Sequence, residues 1–415
     1  MTLDRRQLLV RTGAALALGG AFLDLEEVAA APEADAALDW AAVRRQFRLA
    51  PGWTHLGGLL LASHPAPVRR AIARHRRGLD TNPVHYLHER GPALEADVLR
   101  AAGAYLRARP SDIALTDSTT MGLGLLYNGL ELRSGDEVLT TTHDFFATHE
   151  ALRLKAARTG ASVRRVTLYR NAARASADEI VSSLVAAVGP RTRVIALTWV
   201  HSSTGVKLPL ARIARALGQR RAGILLCVDG VHGLGVESAS VGSLGCDFLV
   251  AGCHKWLFGP RGTGFVWGRT TRWDSISATI PSFSGTATQG AEMTPGGFHS
   301  FEHRWALAEA FRFHMRIGKR RVEQRIHALN RRLKAGLASM SHVTLVTPRS
   351  DAISAGLVCF AVDRLSPDAV VEALRRRRII ATVTPYNPPY ARLAPGLLNT
   401  PADVDRALRA IRALR

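Results

Sequence analysis

The sequence predicts an α/β protein, with a large domain on a mainly parallel seven-stranded sheet and a smaller α+β C-terminal domain. Three observations carry this. From about Pro67 to Gly268, short apolar or β-branched runs alternate with helical runs, the pattern of strands joined by crossover helices in a sheet covered on both faces. After the Gly/Ser/Thr-rich stretch Ser282–Gly297, one long helical run replaces that alternation. The 415 residues, 47% of them hydrophobic, suffice for more than one core.

The strand-like runs are Ile113–Thr116, Glu137–Thr142, Ser162–Thr167, Arg193–Trp199, Gly223–Asp229, Phe248–Ala251 and Gly264–Trp267. Between and around them lie helical runs at Pro67–Arg77, Ala93–Arg107, Thr119–Gly129, Ala147–Thr159, Ala177–Val188 and Leu210–Arg221. The C-terminal part reads as a long helix over about Phe301–Met340, broken once. A strand at Ala355–Val362 and helices near Pro367–Arg377 and Pro401–Leu414 follow. The expected division is an N-terminal segment 32–66 against the small domain, a large domain 67–290 and a small domain 291–415.

Residues 1–31 read differently. Asp4-Arg5-Arg6-Gln7-Leu8-Leu9 precedes the apolar run Thr12–Leu23, and Val28-Ala29-Ala30-Ala31-Pro32 follows. A charged start, a short apolar centre and an A-x-A-like site make a signal peptide, and the paired arginines point to twin-arginine export. The apolar run is too short to span a bilayer, so the expectation is a periplasmic or exported protein without a stable membrane anchor after processing.

Lys and Arg number 55 against 34 Asp and Glu, a formal charge of +21. The excess is arginine scattered along amphipathic helices, with one run at Arg375–Arg378. Neither zinc-finger spacing nor aromatic-studded RNA motifs accompany it, so no nucleic-acid partner is expected. Cys227, Cys246, Cys253 and Cys359 form no CxxC pair and sit in or beside apolar runs, as buried thiols do.

Three segments carry chemistry. In Val250-Ala251-Gly252-Cys253-His254-Lys255-Trp256 a lysine follows a buried-strand pattern and precedes a Gly/Pro-rich turn. Burial and a nearby cation can depress such an ammonium pKa and free the amine as a nucleophile; a surface loop lysine is the plainer reading. Asp229 ends the apolar strand Gly223–Asp229, either as a turn residue or as a partner for a pyridinium nitrogen. Thr116-Asp117-Ser118-Thr119-Thr120 passes from strand to helix, where hydroxyls cap the helix or, with its free N–H groups, hold a phosphate.

Taken together, these segments resemble the class V, fold-type I pyridoxal-5′-phosphate (PLP) enzymes, and within them the isopenicillin N epimerase-like branch. The run His254-Lys255-Trp256-Leu257-Phe258-Gly259-Pro260-Arg261-Gly262-Thr263-Gly264-Phe265 is the most specific match. Thr54-His55-Leu56-Gly57-Gly58 and Gly135-Asp136-Glu137-Val138 add to it, and the likeness runs from about Trp53 to the C-terminus. The resemblance implies that PLP is the cofactor and that the fold is the type I PLP-dependent transferase fold. Lys255 would hold PLP and move the Cα proton, His254 would border the phosphate, and Asp229 would bind the ring nitrogen. His232 would lie near the phenolic oxygen, with Ser118 and Thr119 on the phosphate. In Thr142-His143-Asp144-Phe145-Phe146-Ala147 the family places a ring that stacks on PLP; Phe145 is the choice and His143 the alternative. Ser202 falls where many relatives have an asparagine touching the cofactor. Arg392, in Ala391-Arg392-Leu393-Ala394-Pro395-Gly396-Leu397-Leu398-Asn399-Thr400, would clamp a substrate carboxylate. In Thr294-Pro295-Gly296-Gly297-Phe298 many relatives carry a Gly-Thr pair that reaches the partner subunit's phosphate. A homodimer acting on a small amino-acid-type molecule is implied; no metal is called for.

The reaction is narrower than the class. Sulfur transfer needs a reactive cysteine shortly before the arginine, and Ile380–Pro389 contains none. Epimerisation needs a second proton-handling group, for which His85, Tyr86, His88 and Tyr390 qualify by residue type and rough position. Transamination needs only Lys255. The reading favours an epimerase-like enzyme, with transamination, Cβ–S lysis and a non-catalytic PLP-fold binding protein as alternatives.

Overall fold

The sheet forms where the apolar runs are longest. In a computed structural model, residues 39–218 and 223–414 are described; the signal-peptide reading, on residues 1–31, lies outside them. The strands are β1 (Thr54–His55), β2 (Ile113–Thr116), β3 (Glu137–Thr141), β4 (Ser162–Val166), β5 (Thr192–Thr198), β6 (Leu225–Asp229), β7 (Phe248–Gly252) and β8 (Gly264–Gly268), then β9 (Val343–Leu345), β10 (Val358–Val362), β11 (Ile379–Ile380), β12 (Thr382–Val383) and β13 (Ala391–Leu393). Seven make one sheet in the order β2-β8-β7-β6-β5-β3-β4. β7, β6, β5, β3 and β4 are parallel, and β8 runs against both its neighbours. Every residue of β6 and β7 is buried, as expected of strands covered on both faces. The mainly parallel seven-stranded sheet is therefore as the sequence predicts.

The helices before and around this sheet are α1 (Trp40–Arg45), α2 (Ala66–Thr81), α3 (Pro83–Leu106), α4 (Thr119–Gly129), α5 (Phe146–Thr159), α6 (Ala177–Ala187), α7 (Leu210–Leu217), α8 (Val241–Leu244) and α9 (Gln289–Met293). One face of the sheet is closed by Leu123, Leu126 and Tyr127 of α4 with Leu152 of α5, against Val138, Val194, Phe248 and Val250. Later come α10 (Phe301–Ile317), α11 (Lys319–Ala338), α12 (Pro367–Arg376) and α13 (Pro401–Arg412). Leu329, Leu333 and Leu337 of α11 join Val370 and Leu374 of α12 and Val404 and Ile411 of α13 over a four-stranded sheet, β12-β13-β10-β9. β1 pairs in parallel with β11, Thr54 opposite Ile379, so the start and end of the described chain meet.

Several boundaries differ from the sequence reading. The helix predicted from Ala93 begins at Pro83 and runs through Pro92. A proline normally stops a helix, but here Gly91 lies against Trp305 of α10 and packing holds the turn. The single break in the long C-terminal helix is Gly318, whose φ of 92° suits glycine alone. α7 ends at Leu217; the predicted end at Arg221 lies outside the described residues. β10 starts at Val358 rather than Ala355.

α4 sits close on the sheet because Gly122 has no side chain: a Cβ there would lie 2.5 Å from Val250 Cγ1 and 3.3 Å from Val266 Cγ2. Gly122→Ala is expected to lower stability by about 1–3 kcal/mol through overpacking, read as a fall in the thermal midpoint of the purified protein.

Candidate active site

Parallel strands that end on one rim place their following loops side by side. β2 leads into Ser118 and Thr119, β3 into Phe145, β5 into Ser202, β6 into Asp229 and His232, and β7 into His254 and Lys255. β13 adds Arg392. All of these residues line one open cleft of about 740 Å³, and Leu59, Leu60 and Pro385 complete its wall.

Lys255 Nζ lies 3.4 Å from His232 Nε2. Trp256 Nε1 donates to His232 Nδ1 at 3.3 Å. An indole N–H can only donate, so Nδ1 accepts and the proton of neutral His232 sits on Nε2, facing the lysine. Burial, with Lys255 and Arg392 nearby, holds this imidazole well below its ordinary pKa. Lys255 is itself pulled down to about 8. Burial is the main cause, Asp229 opposes it, and Arg392 adds to it. The amine is thus available near neutral pH.

Asp229 is 2% exposed. Burial raises its pKa to about 6, against the Val231 N–H and the charge of Lys255. Its Oδ1 accepts from Val231 N at 3.0 Å, and among the described residues no hydrogen-bond partner stands at Oδ2. Such a carboxylate awaits a cationic N–H.

The α4 N-terminus is the third component. Ser118 Oγ accepts from Met121 N at 3.1 Å, the capping bond that the plainer reading foresaw. Thr119 Oγ1 accepts from Gly252 N at 2.8 Å. Because both hydroxyls accept from backbone, their own protons remain to donate into the cleft. The helix start adds its unpaired N–H groups and the positive end of its dipole. Gly252 keeps the space open: a Cβ there would stand 3.0 Å from Thr119 Oγ1 and 3.1 Å from His254 Cε1.

Arg392 is 2% exposed. Its Nε donates to Thr382 Oγ1 at 3.0 Å and its Nη1 to the carbonyl of Ser202 at 2.7 Å. Three of its five N–H groups remain for a carboxylate, enough for the paired bonds expected.

The structure also sorts the alternatives. Phe145 lines the cleft, whereas His143 stacks on Tyr169 at 4.0 Å in an adjoining groove. His85 and His88 are exposed on α3, and Tyr86 is bonded to His75 Nδ1 at 3.0 Å. Tyr390 lines the groove. None of these four borders the cleft within this chain. Thr294 Oγ1 accepts from Leu115 N and donates to Gly290 O, so that hydroxyl is used inside its own subunit.

Two residues were missed. Asp144, fully buried, accepts from Thr140 Oγ1, Thr141 N and Thr198 N and ties the ends of β3 and β5 together; its place after a β-rich run was the available signal. Tyr386 donates or accepts at 2.7 Å with Ser202 Oγ. It stands in the Pro385–Pro389 segment, inspected in the sequence only for cysteine.

An amine, an open buried carboxylate and an anion cradle that a single methyl would obstruct fit one group, PLP. The fold and cleft define a PLP-dependent enzyme of the type I fold. A family model described as Aminotransferase class-V matches residues 64–384, and the chain belongs to that family. The chain is similar to the isopenicillin N epimerases of Amycolatopsis lactamdurans and Streptomyces clavuligerus. Each is 27% identical to it, over 90% and 91% of this chain and 98% and 99% of theirs. A probable cysteine desulfurase of Vibrio cholerae is 24% identical over 60% of this chain and 62% of its own. A solved cystine C–S lyase, in complex with its product cysteine persulfide, superposes with a TM-score of 0.80 at 23% identity. It covers 88% of this chain and 98% of that one; at that identity the likeness speaks for the fold alone.

Covalent capture of PLP by cofactor-free protein is expected to rise roughly tenfold between pH 7 and pH 9, with a midpoint near pH 8 rather than 10.5. Growth of visible absorbance in stopped flow checks this, and Lys255→Ala should show none of it.

Proposed function

We propose that this protein is a PLP-dependent enzyme that acts at the Cα of an amino acid and inverts its configuration. The observation that carries the reading is the convergence of Lys255, Asp229 and Arg392 on one cleft. The epimerase relatives support the finer part, since their similarity spans 98% and 99% of their lengths while the desulfurase matches 62% of its own.

Bound PLP serves as an electron sink that makes a Cα–H bond acidic. Arg392 holds the substrate carboxylate and fixes which bond stands near the amine. Lys255 Nζ takes the Cα proton. Asp229 holds a proton on the ring nitrogen, and His232 Nε2–H keeps Lys255 oriented. Phe145 covers one face of the site and excludes water. Ser118, Thr119 and His254 hold the phosphate.

Sulfur transfer through a protein thiol has little support. The segment before Arg392 carries no cysteine. Cys359 is buried inside β10, where burial pushes its thiol up to about 11. Transamination stands as the second reading, because Lys255 alone suffices for it.

The PLP-loaded protein should be given a panel of L-amino acids, and isopenicillin N beside them, and the products separated on a chiral column. The enantiomer, or for isopenicillin N the epimer, without 2-oxo acid is the expected result. A 2-oxo acid in its place would establish transamination. Arg392→Lys should raise KM about 10-fold or more through loss of the paired hydrogen bonds. We propose also that the protein is exported by the twin-arginine route, on the strength of Arg5, Arg6 and the apolar run after them. Replacing both by lysine should abolish export of a reporter fused to residues 1–40; undiminished export defeats the idea.

A further inference from the structure

Inversion at Cα requires proton handling on both faces of the carbon, and Lys255 serves one. The sheet order sets out along the rim the groups that could serve the other. β6 lies between β7 and β5, with β3 next. Asp229, at the end of β6, marks the middle of the cleft. Lys255 comes from the β7 side. Ser202 comes from the β5 side, and the ring of Phe145 from the β3 side.

On that far side two hydroxyls touch. Ser202 Oγ and Tyr386 OH are 2.7 Å apart. The Tyr386 ring packs edge-on against Phe145, with centroids 6.2 Å apart. Its segment is held at both ends, since Thr384 N donates to Tyr390 O at 2.9 Å and Tyr390 N to Thr384 Oγ1 at 2.8 Å. Arg392 Nη1 donates to the carbonyl of Ser202 itself. The guanidinium that would hold a carboxylate therefore stands beside the Ser202–Tyr386 pair. Tyr386 also lines the adjoining groove of about 1100 Å³, so solvent reaches its far side.

We propose that Ser202 and Tyr386 form a hydroxyl relay that delivers the proton to the face of Cα opposite Lys255. The inference rests on the α-carbon reading above. Lys255 Nζ takes the Cα proton on its side, and the electron pair of that bond stays with the substrate. Ser202 Oγ–H gives its proton to the opposite face, forming the new Cα–H bond. Tyr386 passes its phenolic proton to Ser202 Oγ. The resulting phenolate lies near the Arg392 guanidinium, balancing the ammonium gained at Lys255. Water from the groove then returns a proton to Tyr386, and Lys255 releases one. No net proton is consumed. Burial keeps the resting phenol protonated, the form a donor needs.

The test runs PLP-loaded wild type, Tyr386→Phe, Ser202→Ala and Ser202→Thr in D₂O with each amino acid of the panel above. Chiral separation and mass spectrometry read deuterium in each enantiomer. The wild type should label the inverted product. Tyr386→Phe and Ser202→Ala should lose inversion by about 10²-fold or more while labelling of the unreacted enantiomer continues through Lys255. Ser202→Thr, which keeps the hydroxyl, should restore inversion. Undiminished inversion in Tyr386→Phe overturns the relay. So does a parallel fall of inversion and labelling, or a displaced cofactor absorption band, since a structural role would produce those.

A second measurement needs no turnover. In cofactor-free protein labelled with ¹³Cζ-tyrosine, the Tyr386 signal is the one missing from Tyr386→Phe. Propionate should shift it in wild type and not in Arg392→Ala; no shift in wild type overturns the placement. Labelling with retention only in wild type refutes the relay and the inversion, and leaves action at the Cα intact. Absence of any labelling refutes that reading, and the relay with it.

Discussion

Parallel alignment of β3, β5, β6 and β7 sends every crossover back under the sheet and brings every strand end to the same rim. The site depends on that polarity. Asp229, Lys255, Ser202 and Phe145 are far apart in sequence, yet each ends a buried strand or lies within four residues past one. The strands can be buried throughout because helices cover both faces, which leaves their ends as the places where polar side chains meet solvent. An antiparallel sheet would send half of those loops to the opposite edge.

The same constraint sets the electrostatics. A carboxylate and an amine share one poorly hydrated cleft, and each shifts in the direction that favours its neutral form. Asp229 moves up to about 6 and Lys255 down to about 8. Burying either alone would be costly. Their mutual attraction offsets part of that cost. Arg392 works against the lysine and so keeps its amine reactive.

The large sheet was legible because its strands are apolar throughout and end in punctuating Asp, Gly and Ser/Thr residues. The polar residues that line the cleft were legible for the same reason: each sits at a change of pattern. What the sequence hid were contacts between distant segments. The two- and three-residue strands β1, β9, β11, β12 and β13 carry too little periodicity to announce themselves and exist only through pairing. Helix α3 runs through Pro92, and the neighbour of its Gly91, Trp305, lies more than 200 residues later in the chain. The partner of Ser202 could not be read from either segment alone, since 184 positions separate the two hydroxyls. That His143 stacks on Tyr169 while Phe145 lines the cleft was likewise hidden, since Tyr169 lies in a separate segment.

The pairing of β1 with β11 joins Thr54 to Ile379. Arg392 follows that strand by little more than a hairpin. A ribosome therefore makes more than 300 further residues before either the first strand or Arg392 can find its place. Contacts of such long sequence separation form late, after their loop-closure entropy has been met. The nascent chain can assemble β2 to β8, with Lys255 and Asp229, while the last helices are still being made. One side of the cleft can thus form before Arg392 completes it, with the order of assembly set by where each residue lies along the chain.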